Sequence, residues 1–295
     1  MTSFSFDDKI VQARSVGALS NIADSEEAFV TTKYGQGDIE GEIRVKSFGL
    51  FLYALLGSYS VSGPTDSAYT HSFTVSQTNT HQSLAFVVSD SNTTELYPLV
   101  MLDSLELNAE LDEIVKYTAS FMSKAGRDTG LTVPAVVAES KFTKKHLSFK
   151  LADTIAGLSA ATAISLKSLT LTISKNVEIY DVLGTAEPED ILNRQLAVEG
   201  EIELLYESET YKNYMKNGTN KCMQIAFTNT DELIGASTRP SLTFQFPKVD
   251  FFDWEPSYDL DEIVSQKISF KCNRDVSNLL EPISTCQLVN DVSSY

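Results

Sequence analysis

The sequence predicts a mainly β protein made of two duplicated β-sandwich domains, each with a short flanking helix. Two words occur twice, in the same order. Glu40-Gly41-Glu42-Ile43 returns as Glu199-Gly200-Glu201-Ile202, and Leu111-Asp112-Glu113-Ile114-Val115 returns as Leu260-Asp261-Glu262-Ile263-Val264. The second word of each set opens a run that alternates apolar and polar residues, the period of a half-buried strand. The first leads into a short helical stretch closed by glycine. Paired words in common order argue for internal duplication, so residues 39–126 are expected to superpose on 198–272, with Glu40 on Glu199 and Leu111 on Leu260. The expected organisation is a first domain with an N-terminal arm over 1–126, a linker over 127–145, a second domain over 146–272, and a C-terminal strand or arm over 273–295.

In chain order, residues 1–38 read as an extended arm with one strand, since Phe4 and Phe6 alternate with polar neighbours while Gly17, Ser20, Asn21 and Asp24 interrupt the pattern further on. Over 39–46, Ile39, Gly41, Ile43 and Val45 share one face of a strand and Glu40, Glu42, Arg44 and Lys46 the other. Ser47 is placed to cap a helix over 48–56 whose Phe48, Phe51, Leu52 and Leu55 lie on one side, and Gly57 ends it. The Ser/Gly/Pro-rich stretch 58–69 reads as a loop, 72–76 with 83–88 as a hairpin across Asn79-Thr80, and 90–94 as a turn. Two long strands come next, over 97–108 and 111–124. In the second, Val115, Tyr117, Ala119 and Phe121 face the core while Lys116, Thr118 and Ser120 face away.

Beyond a linker bearing Gly126, Gly130 and Pro134, strands are predicted over 146–152 and 164–174, the latter with a slip of phase at Lys167-Ser168 that indicates a bulge. The second copy then repeats the theme, with a strand to Tyr206, a helix over 208–216 closed by Asn217-Gly218, and strands over 221–228, 241–250 and 260–272. Val264, Ile268, Phe270 and Cys272 point inward there, and Ser265, Lys267, Ser269 and Lys271 outward. Residues 283–290 alternate in part, as a final strand or docked arm would.

Composition narrows the functional classes. No run approaches the ~18 apolar residues of a membrane span, and the first residues lack the basic-then-apolar layout of a secretory signal, so a soluble protein with no membrane partner is expected. Acidic residues outnumber basic ones 40 to 23, for a net charge of −17, which disfavours a tight grip on phosphates and keeps an unassembled chain soluble. Three cysteines without a CxxC pair and three histidines without ligand spacing read as structural groups, with no metal and no cofactor. Phosphate loops, GxSxG elbows and HExxH helices are absent, and alternation puts Glu40, Glu199, Glu113 and Glu262 on outer faces or strand starts, so no enzyme is expected. Phe251, Phe252 and Trp254 form an aromatic cluster that suits packing under a loop or at a subunit interface, or a platform for stacking a sugar or base.

The strand with Gly-Glu, the short helix ending Leu55-Leu56-Gly57, the stretches Tyr69-Thr70-His71-Ser72-Phe73-Thr74 and Gln82-Ser83-Leu84-Ala85-Phe86, and the later Ser241-Leu242-Thr243-Phe244-Gln245-Phe246 and Cys286-Gln287-Leu288-Val289-Asn290 together resemble the tail tube proteins, or major tail proteins, of long-tailed bacteriophages. The resemblance covers residues 35–290, and its motifs are structural. Lys216-Asn217-Gly218 departs from Leu55-Leu56-Gly57, so the two helices are expected to meet different neighbours.

The resemblance implies a structural virion protein of the phage tail, assembled in the host bacterial cytoplasm and polymerised as stacked rings into the conduit for DNA ejection. Strands of neighbouring subunits would close a β-barrel channel, with Lys116, Thr118, Ser120, Ser265, Lys267 and Ser269 facing the lumen and Phe251, Phe252 and Trp254 at interfaces. Its partners would be further copies of itself, in trimeric pseudo-hexameric or alternatively hexameric rings, together with a tape measure protein and tail-end proteins. DNA would pass without specific binding. Residues 1–20 and 273–295 and the loops at 58–70 and 127–140 would tie ring to ring. The competing reading, from a different class, is a binding module such as an adhesin or a carbohydrate-binding β-sandwich pair.

Overall fold

Alternation becomes pairing in an antiparallel framework that has, among the described residues, eighteen strands and two α-helices. The structure, a computed structural model, describes residues 1–17, 22–90, 92–258 and 263–295. The first half holds β1 (Ser3–Phe4), β2 (Asp7–Val16), β3 (Ser25–Glu42), α1 (Gly49–Leu56), β4 (Gly57–Thr65), β5 (Ala68–Val75), β6 (Leu84–Ser89), β7 (Thr94–Glu110), β8 (Lys116–Lys124) and β9 (Arg127–Asp128). The second holds β10 (Leu147–Ala152), β11 (Ser168–Ser174), β12 (Glu178–Tyr180), β13 (Asp190–Leu192), β14 (Ala197–Leu205), α2 (Thr210–Asn217), β15 (Lys221–Thr228), β16 (Ser241–Ser257), β17 (Ser265–Cys272) and β18 (Thr285–Asn290).

The main sheet runs β1-β3-β8-β7-β11-β14-β17-β16-β18-β5-β4. Its long strands β7 and β16 each serve two layers. The first part of β7 pairs with β6 and β9 and its second part with β8 and β11, while β16 pairs first with β15 and β18 and then with β17. A strand that changes partners midway folds one sheet over the other and closes a sandwich. Among the described residues the chain closes no barrel by itself.

Duplication is visible in the registers. Leu102 pairs with Phe121 and Phe251 with Phe270, a displacement of 149 residues on both strands (102 to 251, 121 to 270), and each pair is followed by a bulge before Ser104 or Asp253. Leu84 pairs with Val100 as Lys221 pairs with Val249, again with a bulge before Phe86 or Met223. Bulges re-aim a strand, so two at matching places in both copies mark one inherited three-strand unit. The pairing of Glu40 with Glu199 is corrected, however. Gly200 lies opposite Phe270 and Gly37 opposite Phe121, so it is Gly37 that matches Gly200, and the shared word is offset by four residues. The expected match of Leu111 with Leu260 lies outside the described residues.

Other local expectations change where tertiary pairing intervenes. Residues 57–75 are the β4–β5 hairpin rather than a loop, and β5 and β6 do not pair with each other but with β18 and β7. Ser47 makes no side-chain cap to α1, although Gly57 closes that helix at φ 82°. No bulged strand spans 164–174, because β11 begins at Ser168 and Ile164 only touches Phe149. The arm expected over 1–38 is two strands and the start of a third, folded mainly as the β2–β3 hairpin.

One hydrophobic core joins the halves. Buried Phe48, at the start of α1, and half-buried Phe51 within it pack on Tyr117 and Phe121, whereas α2 buries none of its residues and lays Tyr211 and Tyr214 on Phe251. That difference follows from composition: GLFLYALL against TYKNYMKN. Two strands sew the halves together. β11 sits between β7 and β14, and β18 between β16 and β5.

Candidate functional site: the polar sheet face and its edges

Pairing carries one row of side chains across eight strands: Ser3, Glu40, Thr118, Glu106, Thr172, Glu199, Lys271 and Asp250. The next row runs Glu42, Lys116, Asn108, Thr170, Glu201 and Ser269, and a third Glu110, Ser168, Glu203, Lys267 and Glu255. Acids outnumber lysines in every row. Each lysine is also engaged by a carboxylate: Lys271 with Glu199 at 2.5 Å, Lys267 with Glu201 at 3.2 Å and Lys116 with Glu113 at 2.6 Å. The carboxylate hydrogen bond pushes each of these lysine pKa values up. Exposed pairs of this kind add little to stability, because water screens them. Their larger consequence is electrostatic, since a face of paired lysines and surplus acids offers a polyphosphate no basic track.

Lys116, Thr118, Ser120, Lys267 and Ser269 all present on this face. Ser265 shares their parity but is only 5% exposed, being held at the strand end between Leu205 and Ser257, so it does not reach the surface. Of the aromatic cluster, Phe251 is corrected from interface to core: it is 5% exposed and packs under α2. The bulge turns Phe252 outward, leaving it 54% exposed beside Thr170 and Glu199. Trp254 is half-buried, donates from Nε1 to Gln266 Oε1 at 2.9 Å, and carries Lys212 Nζ 4.7 Å over its ring.

The sequence reading missed the part played by the extreme N-terminus. Gly37 and Gly200 hold the same contact in the two halves: an added Cβ would collide with the Ser5 carbonyl oxygen in one and with that of Thr170 in the other. Residues 3–6 of the first half therefore occupy the place that β11 takes in the second. The signal was present as Ser3-Phe4-Ser5-Phe6 beside Ser168-Leu169-Thr170-Leu171, a shared alternation of small polar and large apolar residues.

Two of the segments expected to tie ring to ring make contacts within the chain itself. The C-terminal residues are docked: Tyr295 is half-buried, its hydroxyl donates to the Lys46 carbonyl, and Asn290 Nδ2 donates to that same hydroxyl at 2.5 Å. The tip of the β4–β5 hairpin is fastened to the second half by Asp66, which accepts N–H bonds from Ala236, Ser237 and Thr238 and is thereby held down at a pKa of about 2.

The histidines serve the seams. His71 lies fully buried between Tyr59 Oη at 3.0 Å and Asn290 Oδ1 at 2.9 Å, His81 bridges the Leu55 and Ser76 carbonyls, and His146 Nδ1 accepts the Thr143 N–H. Burial is the main cause lowering all three pKa values. A base whose folded pKa lies below its unfolded value of about 6.5 binds fewer protons in the native state, so its contribution is intact above that pH and is lost as pH falls through the folded value. Proton NMR titration is expected to place all three imidazoles below 6.5, and any one titrating above it would contradict this arrangement.

Among the described residues no group of three His, Cys, Asp or Glu side chains is gathered to hold a metal ion, and no helix is long and apolar enough to cross a membrane. The three cysteines are free and buried, and burial pushes their thiol pKa values up. No curated protein matches the chain. A family model described as phage tail tube protein matches residues 15–272, a span that holds every residue of the three polar rows except Ser3. This chain belongs to the phage tail tube protein family, and it is a structural component of the virion tail.

Proposed function

We propose that the protein polymerises as stacked rings of three subunits, each subunit supplying two of six quasi-equivalent sectors, and that the polar face lines the lumen through which DNA leaves the particle. The observation that carries this reading is the duplicated four-strand unit, β1-β3-β8-β7 followed by β11-β14-β17-β16, which presents one continuous acidic face. Three such chains supply six units. A surplus of carboxylates along the wall favours screened repulsion of DNA over adhesion, so the polymer slides without specific binding. Rings that stack by head-to-tail contacts grow as a filament, and the exposed apolar residues Val11, Val16, Phe29 and Val30 of the β2–β3 hairpin supply a surface for the next ring. The tape measure protein and the tail-end proteins are the remaining partners of this reading, with assembly in the host cytoplasm. The alternative as a carbohydrate-binding module loses its platform, because Phe251 is buried and Lys212 sits over the Trp254 ring.

Negative-stain and cryo-electron microscopy of concentrated purified protein are expected to show tubes whose cross-section has three-fold symmetry with six sectors. Six identical subunits per ring would overturn the trimer in favour of the hexamer. Monodisperse monomers at all concentrations would overturn polymerisation.

A further inference from the structure

Resting on the ring-forming reading above, we propose that neighbouring subunits join by β-strand pairing between residues 4–8 of one copy and residues 254–258 of a second copy, the end of β16 and the residue after it, whose strand among the described residues pairs there on one side only, with β17, in the register that places Phe6 opposite Pro256. The template lies inside the chain. Leu171 of β11 stands opposite both Leu107 of β7 and Gly200 of β14, and so bridges the two halves. The displacement of 149 residues carries Leu107 to Pro256. The matched glycine contacts carry Thr170 back to Ser5, and therefore Leu171 back to Phe6. What β11 does within one subunit, the N-terminal strand of the next does between subunits. Phe4 then faces Tyr258, and Asp8 faces Trp254.

Hydrogen-bond direction supports this register independently of the duplication. The Trp254 N–H donates to the Asp253 carboxylate at 2.8 Å and Pro256 carries no N–H to give to β17, which fits residues 254, 256 and 258 turning their backbone groups to the open edge. On the other strand the Ser5 N–H donates to the Asp38 carbonyl at 3.0 Å, which turns Phe4, Phe6 and Asp8 outward. Directly opposed residues that both face the gap are what an antiparallel hydrogen-bonded pair requires, and a slip of one residue would break every such pair. One further step in the same register sets Ile10, 59% exposed, against Phe252, 54% exposed, while Tyr258, 66% exposed, is covered by Phe4.

Two features make this junction weaker than the internal one. Pro256 has no N–H to give at an outward position, and Asp7 comes opposite Glu255, with only Lys9 opposite Asp253 to offset the repulsion. Blunting an open edge in this way keeps single chains from pairing one at a time, so that assembly draws on many junctions together.

The test uses the full chain with Ser5→Cys and Ser257→Cys, a non-hydrogen-bonded pair whose Cβ atoms would be close enough for a disulfide. β1 and β16 lie at opposite ends of the eight-strand run, so the two cysteines do not meet within one chain, and the native cysteines are buried. Oxidised tubes are expected to give covalent multimers on non-reducing gels, with at least about tenfold less cross-linking for the shifted pair Ser5→Cys with Glu255→Cys. Independently, Glu255→Lys should lower the concentration needed for tube formation about fivefold by pairing with Asp7. Tubes of the Ser5→Cys/Ser257→Cys chain that give no cross-link on oxidation, preferential cross-linking of the shifted pair, or an unchanged or raised assembly concentration for Glu255→Lys would each overturn this junction and leave the ring reading standing. Absence of rings or tubes from the wild-type protein would overturn both.

Discussion

Phe121→Ala and Phe270→Ala are each expected to lower the free energy of unfolding by about 3–5 kcal/mol, while Thr118→Ala changes it by no more than about 0.5 kcal/mol. Phe121 is 1% exposed and meets Phe86 with ring centroids 4.8 Å apart and Phe51 at 5.8 Å. Phe270 is fully buried, paired with Phe251 on one side and set against Gly200 on the other. Truncating either ring removes its contacts and leaves a cavity between layers that two bulged strands hold in place, so little collapse can fill it. Thr118 points from the opposite side of the same strand into the acidic row, where water replaces what its methyl loses. Urea or guanidinium unfolding measures all three. A Thr118 variant more costly than the Phe121 variant would show that the two faces have been exchanged.

Gly37→Val and Gly200→Val are expected to cost about 3 kcal/mol or more each, because the space a side chain would need is already filled by backbone. At Gly37 a Cβ would collide with the Phe6 Cα, and at Gly200 it would collide with the Thr170 carbonyl oxygen and lie 2.5 Å from the Phe270 ring. Neither backbone neighbour is the free end of a flexible chain. Each belongs to the segment that borders its half of the sheet, residues 3–6 in the first and β11 in the second, so relief would require that segment to peel away. Gly130 is the internal control: nothing lies within 4 Å of its Cβ position, and Gly130→Ala should leave the unfolding midpoint unchanged. Equal effects at Gly130 and Gly200 would contradict the close approach.

Legibility of the site followed the same division between local period and distant contact. Lys116, Thr118, Lys267 and Ser269 were assigned to one face by alternation alone, and they are there, because a strand gives its residues no other choice. Phe251 and Phe252 were not separable in this way. A bulge reverses the phase at one of two adjacent phenylalanines, and only the pairing with Phe270 and Ser269 decides which.

By itself the sequence determined the β class, the two faces of its strands, the acidic surface and the fact of duplication. All four are properties of residue order at short range, or of composition. The tertiary structure alone decided which strands are neighbours and in what register. The word beginning at Glu40 matched the one beginning at Glu199, yet the strands align Gly37 with Gly200, four residues away. A shift of four in a period-two pattern returns every side chain to its own face, so hydrophobic patterning cannot distinguish the two alignments. The choice was made by contacts across the sheet: a phenylalanine ring opposite a glycine, and a carbonyl oxygen where no Cβ fits. For the same reason β11 and β18, which join the halves, carried no mark of that task, since pairing is made by backbone groups that every strand has in common.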